Sequence, residues 1–212
     1  MRTSEFIAAL AADPIPEPIQ IGRRVVVALA IGLVGSLAIF ALFSGPRPDI
    51  AAAARTVRFN LKFVDAFALA LPSLLLTLRL ARPDAKPRAL ALWLLAPIVL
   101  LAAAVVVELL VVPQDEWLHR LVGTKSMHCM RMIPLMAAPL LAGLIWAMRA
   151  GAPLYPGLTG ALAGAASAGI AALLYASRCP DDSPLFVATW YPLATLICAG
   201  VGALAGRWYL DW

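Results

Sequence analysis

The 212 residues of the chain are 62% hydrophobic and 14% charged, with a mean hydropathy of +0.87, which leaves too little polar surface for a water-soluble domain of this length. The apolar runs are long and continuous rather than alternating, which excludes a membrane β-barrel. The net charge of +5 comes with no basic cluster interleaved with aromatics, so direct nucleic-acid binding is not expected.

Residues 1–24, MRTSEFIAALAADPIPEPIQIGRR, do not have the order of a signal peptide. Glu5, Asp13 and Glu17 come early, and the apolar run starts only after Arg23 and Arg24. Thr3 or Ser4 can cap a short helix with Glu5 in its first turn. Phe6, Ile7 and Leu10 then share one face of that helix. Pro14, Pro16 and Pro18 end it and form a semi-rigid spacer. Two readings stay open: a frayed tail, and a docking peptide that folds on a partner.

Six apolar segments follow, near residues 25–43, 61–80, 89–112, 131–149, 158–177 and 186–206. Each approaches the roughly 20 residues needed to cross the hydrocarbon core. The expected fold is an all-α integral membrane protein, a bundle of six transmembrane helices over 25–206 with a cytoplasmic tail at 207–212. An even number of spans puts both termini on one side. With the termini inside, the inner segments hold Arg2, Arg23, Arg24, Arg79, Arg82, Lys86, Arg88, Arg149 and Arg207. The outer ones hold Arg47, Arg55, Arg58, Lys62, Arg120, Lys125, Arg131 and Arg178. Cation density in the short loop LRLARPDAKPR favours termini inside.

The stretch from Ser44 to Asn60, with IAAAARTVRFN, is expected to lie as an amphipathic helix at the interface. Asp65 and Glu108 are carboxylates near the ends of apolar segments. Lys62 stands one turn from Asp65, which favours a structural role for that pair. Pro72, Pro97, Pro134, Pro139 and Pro192 fall inside apolar segments, where neighbours must satisfy the freed carbonyls. Gly160 with Gly164, and Gly202 with Gly206, allow close helix approach within the bundle or between copies in a homo-oligomer.

The outer loops carry the chemistry. Cys129 sits just before the fourth segment and Cys179 just after the fifth, so both lie on one face of the membrane. Three readings stay open. The pair can form a disulfide closing a loop of about 50 residues, worth about 4 kcal/mol. It can act as a reversible dithiol sensor. With His128, Asp181 or Asp182 it can bind a soft metal, but the sequence has no CxxC, so no resident metal or cofactor is expected. Cys198, inside segment six, reads as a small apolar filler.

The runs CMRMIPLMAAPLLAGLIWAMRAGAP and GLTGALAGAASAGIAALLYASRCPDDSPLFVATWYPLA, and the closing GALAGRWYLDW, resemble the NrsF family of bacterial membrane anti-sigma factors. So do SEFIAALAADPIPEP at the N-terminus and ARPDAKPR after the second span. The specific marks are Cys129 and Cys179 in their Ile-Pro and Cys-Pro settings, Tyr175 four residues before Cys179, and the pair Trp190–Tyr191. The resemblance implies a six-span protein of the bacterial inner membrane with both ends in the cytoplasm. It implies that residues 1–24 help hold an extracytoplasmic-function sigma factor, and that Cys129 and Cys179 respond to heavy metals or oxidants. Phe6, Ile7 and Leu10 are the apolar cluster available for that grip.

Two other classes compete. A small transporter needs polar groups at the midplane and ideally an internal repeat, and no repeat is present. A thiol oxidoreductase needs a relay of cysteine pairs, and one outer pair with an isolated Cys198 does not make one. No nucleophile–base arrangement is visible, so no enzyme is expected.

Overall fold

A computed structural model describes residue 3 and residues 21–82 and 88–211 of the chain. The expected docking cluster Phe6, Ile7 and Leu10 lies outside the described residues, as does the centre of the basic loop after the second span.

The described chain is helical. Helix α1 covers Ile21–Phe43, the one-turn α2 Ile50–Ala53, and α3 Val57–Leu80. After α4 (Arg88–Ala91) and a 3-10 turn at Leu92–Leu94 comes α5, Leu95–Val111. Then follow α6 (Gln114–Val122), α7 (Ser126–Met148), α8 (Pro156–Ala176) and α9 (Pro184–Tyr209). Among the described residues six stretches are long and apolar enough to cross a membrane, including Ala89–Val111, which joins α4 to α5, and Gln114–Met148, which takes in α6 and α7. They coincide with the six apolar segments of the sequence.

Three boundaries differ from expectation. Helix α1 begins at Ile21, so Arg23 and Arg24 lie in its first turn rather than before it. The expected amphipathic helix between Ser44 and Asn60 shrinks to the single turn α2. Thr56 ends it by accepting the Phe59 amide and starts α3 there. The amphipathic helix forms elsewhere, at α6, with Asp115 and Glu116 in its first turn and His119 and Arg120 in its last. The third difference matters most for the site. Helix α7 starts at Ser126, so Cys129 stands in its first turn instead of ahead of it.

Successive spans run antiparallel, so the starts of α3, α7 and α9 share one end with the finishes of α1, α5 and α8. We refer to this as the cysteine end. At the opposite end the Ala152 amide donates to the Ala81 carbonyl, at 3.0 Å. That end also displays exposed Trp93, Trp146, Tyr155, Trp208 and Tyr209, the amphipathic rings that favour a membrane–water interface.

Helices α7 and α8 form the centre. The Gly160–Gly164 stripe of α8 lies directly on Gly202 and Gly206 of α9, and a Cβ on any of them would strike the facing backbone. The small-residue pairs are therefore used inside the bundle. Helix α1 seats on α7 in the same manner, with Gly32 and Gly35 against Pro139 and Leu140. The Ser36 hydroxyl there is hydrogen-bonded to the Met136 carbonyl, at 2.6 Å, one turn before Pro139. Helix α5 is peripheral: only Pro97, Leu101 and Glu108 of it are buried.

Candidate functional site

The site is the cysteine end, built around the loop between α8 and α9. Helix α8 stops at Ala176 because Cys179 is followed by Pro180, and Pro184 opens α9 at its first turn. The seven residues between carry Cys179, Asp181, Asp182 and Ser183. Cys129 and Cys179 are both fully buried and belong to one apolar cluster with Tyr175, Phe186 and Tyr191. The two cysteines lie at the same end of the bundle. Both thiols are free. Cys198 is a third buried free thiol in α9, in the same cluster.

Each polar residue of the loop reaches a different span. Asp181 accepts the Thr124 and Lys125 amides, at 3.1 and 3.0 Å, at the entry to the Cys129 helix α7. Its carbonyl lies 3.8 Å from the Cys179 thiol that donates to it. Asp182 accepts from Lys62 of α3 and, at 2.9 Å, from Arg47 of the α1–α3 connection. The same two cations donate to the Cys179 carbonyl, Lys62 at 3.0 Å and Arg47 at 3.4 Å. Ser183 donates to Glu108 of α5 at 2.8 Å, and Glu108 also accepts the Leu185 amide at 2.9 Å in the first turn of α9. Arg120 and Arg58 stand 3.4 and 3.7 Å from the same carboxylate. One short loop thus joins α3, α5, α7, α8 and α9, and Arg47 brings in the connection from α1.

Two sequence expectations change here. Lys62 does not neutralise Asp65: it reaches across the bundle to Asp182 instead, because the acidic loop offers it a carboxylate and a carbonyl together. Asp181 and Asp182 are not spare metal ligands, since both carboxylates are taken up by amides and cations. Glu108 has the structural role expected of it, as the acceptor at the start of α9. Sequence reasoning placed Arg47 only as an outer charge and set Lys62 beside Asp65. The signal it had was a lysine inside an apolar run, which requires a buried anion somewhere in the fold.

The electrostatics hold the loop shut. The hydrogen bond to Asp49 raises the pKa of Arg47 and lowers that of Asp49, so both stay charged. Burial pushes the Cys179 thiol up to about 11, against the pull of Lys62. In this arrangement Cys179 is a neutral, poorly nucleophilic thiol. A cavity of about 230 Å³ nonetheless leads to it, lined by Arg47, Lys125, His128, Tyr175 and Arg178. The His128 ring lies 5.9 Å from that of Tyr175, and its Nε2 is 3.4 Å from the Ser44 hydroxyl. Asp49 lines it as well, so cations outnumber carboxylates at the entrance three to one, and Cys179 borders the cavity with its side chain still buried.

The model of the family NrsF, negative regulator of sigma F, matches residues 10–212. The anti-sigma-F factor NrsF of Caulobacter vibrioides is 33% identical, with both chains covered in full. The probable anti-sigma-F factor NrsF of Azospira oryzae is 30% identical, again over the whole of both chains. No solved structure matches the chain. The polar loop around Cys179, the six apolar helices and these full-length likenesses place the chain in the NrsF family of negative regulators of sigma F.

Proposed function

We propose that the chain is a membrane-embedded anti-sigma factor of the bacterial inner membrane. Residues 25–206 form the transmembrane domain, and both ends, including the tail 207–212, face the cytoplasm. Residues 1–24 hold an extracytoplasmic-function sigma factor through Phe6, Ile7 and Leu10. The sigma factor is released when Cys129 and Cys179 react with a heavy metal or an oxidant in the periplasm. A soft metal ion would displace the two thiol protons. An oxidant accepting two electrons would join the sulfurs and release the same protons.

The observation that carries this reading is the linkage of Cys179 to five spans through a loop whose partly exposed polar groups bind the buried Lys62 and Glu108. Release requires that signal and sigma factor each favour one of two arrangements unequally. Reaction at a fully buried thiol requires the loop to open, which takes Asp182 from Lys62 and Asp181 from the start of α7. Separating such partners leaves uncompensated buried charge, so the closed and open loops are distinct states rather than a continuum. Helix α7 carries Cys129 at one end and lies along α1, whose first turn continues the sigma-holding segment. Burying Phe6, Ile7 and Leu10 on a partner contributes about 1.5–3 kcal/mol each before ordering costs.

The test is capture of the tagged full chain from membranes that also contain the sigma factor. The sigma factor is expected to co-purify, to leave on addition of cadmium or diamide, and to stay when Cys129 and Cys179 are both changed to Ser. Deleting residues 1–12, or making Phe6→Asp with Leu10→Asp, is expected to free it while the chain remains inserted. Retention by the truncated, inserted chain would move the grip to the short inner loops. Release from the double cysteine variant would remove the thiols from sensing.

A further inference from the structure

Between α3, α5, α8 and α9 lies an open groove of about 660 Å³. Its walls are apolar, with Leu69, Ile98, Leu101 and Leu196 among them. Helix α5 forms one side from Leu94 to Val105, a rise of about 16 Å, or half the thickness of a hydrocarbon core. Because α5 is the peripheral span, the groove opens toward the surface where lipid chains would stand.

Four polar side chains interrupt this wall, Thr195 and three that are buried. Asp65, Ser73 and Tyr191 line the groove and are 7%, 0% and 5% exposed. The Asp65 Oδ1, the Ser73 hydroxyl and the Tyr191 hydroxyl are buried with no hydrogen-bond partner among the described residues. The nearest cation along α3, Lys62, is committed to Asp182 and to the Cys179 carbonyl. A buried carboxyl group in apolar surroundings is costly unless it is paired, and such groups within membrane segments mark ligand or ion sites. Asp65 and Ser73 are two turns apart on α3, about 12 Å, so the polar points lie along a channel that is otherwise greasy.

We propose that this groove binds a membrane-dissolved alkyl ammonium, with the alkyl body along α5 and the cationic head on Asp65. The carboxylate supplies the charge that the described residues leave unmatched. An ammonium has three donors and no acceptor of its own, so the carboxylate meets it without competition, while the Ser73 hydroxyl, about 12 Å further along α3, lies beside the alkyl body rather than the head. A neutral chain of equal length fills the same volume but leaves Asp65 unpaired.

The experiment measures binding of radiolabelled dodecylamine and of radiolabelled 1-dodecanol to the tagged full chain in phosphatidylcholine nanodiscs, each corrected for uptake by empty discs. Saturable dodecylamine binding is expected, about ten-fold tighter than dodecanol, the gain of one hydrogen-bonded charge partner. Asp65→Asn is expected to bring the two ligands within about two-fold of each other, and Asp65→Glu to keep the preference for the amine. Ala102→Trp fills the groove while leaving the carboxylate in place, and is expected to weaken both ligands. Equal binding of amine and alcohol by the unchanged protein would show an acyl-chain groove without an ammonium site, and would overturn the proposal. So would an amine preference that survives Asp65→Asn, or binding that Ala102→Trp does not touch.

Discussion

At the cysteine end the spans are joined by side-chain charge: Lys62 and Arg47 on Asp182, amides on Asp181, and Ser183 with an α9 amide on Glu108. Toward the other end, α8 and α9 meet backbone to backbone across Gly160, Gly202 and Gly206, with no side chain between them. The two regions fail differently. A glycine contact has one geometry, and loss of fit leaves no alternative partner. A charged loop can trade protein partners for water if it is opened, so it can have a second state. A sensor belongs at the second kind of junction and needs the first kind as its fixed frame.

The harshest way to break the frame is Gly160→Leu. A Cβ there would meet the Gly202 carbonyl and, at 2.8 Å, the Gly206 Cα, neither of which can rotate away. Overpacking costs about 1–3 kcal/mol where side chains yield, and more against backbone. Loss of the folded, monodisperse protein in detergent is expected on size exclusion. Gly200→Leu is the control, since nothing lies within 4 Å of its Cβ position, and it is expected to leave the elution profile unchanged.

The charged end is sharpened by Asp182→Asn. The Lys62 side chain is only 1% exposed and would lose its carboxylate partner, leaving the Cys179 carbonyl and a neutral amide oxygen as acceptors. Breaking a buried pair from one side costs about 3 kcal/mol. A lower midpoint in detergent melts is expected, together with sigma release without any inducer. Adding Lys62→Met removes the stranded charge and is expected to recover most of the stability. A double variant as unstable as the single one would mean that Asp182 acts through Arg47 rather than Lys62.

The contrast between the ends also explains what the sequence made legible. Six spans were readable because each is a continuous apolar run, and the Gly160–Gly164 stripe announced a close contact by its spacing. The partner of a buried charge is a long-range fact. Asp65 lies three residues from Lys62, yet the carboxylate that Lys62 meets is 120 residues away. No local pattern ranks one above the other. The start of α7 was misplaced for a related reason: Ser126, Met127 and His128 look like loop, and the group that holds them in a helix is Asp181 from another part of the chain. The groove at Asp65 was illegible altogether, because it is a gap left by the loose seating of α5.

Among the cysteines the expected effects are on signalling rather than on stability. With the two thiols acting as one unit, as proposed, Cys129→Ser, Cys179→Ser and the double variant are expected to show the same loss of inducible sigma activity. A reporter driven by the sigma factor reads this directly. Partial, additive losses would mean two independent sites. Cys198→Ser, on α9 and away from the loop, is expected to respond as the unchanged chain does.

The smallest effect, and the most specific to the closed loop, is the pH dependence of thiol alkylation at Cys179. Only the thiolate is alkylated, and burial holds this thiol up to about 11. Well below that value the thiolate fraction rises about ten-fold for each unit of pH, whereas an unperturbed thiol begins to level near its value of about 8.5. With Cys129 and Cys198 changed to Ala, the rate at Cys179 is expected to climb through pH 7 to 9 with no plateau. Asp182→Asn is expected to raise the rate at every pH by letting the loop open. The entrance adds a second signature, since Arg47, Lys125 and Arg178 line it. Iodoacetate, which is anionic, is expected to gain on neutral iodoacetamide relative to their ratio on free cysteine, and to lose that gain in high salt. In reduced spheroplasts iodoacetate tests the orientation, since the anion has to reach Cys179 from outside. A plateau near pH 8.5 would place the thiol in water and remove the need for the loop to open. An unchanged reagent ratio would mean that the reactive thiol is not approached through the cationic cavity.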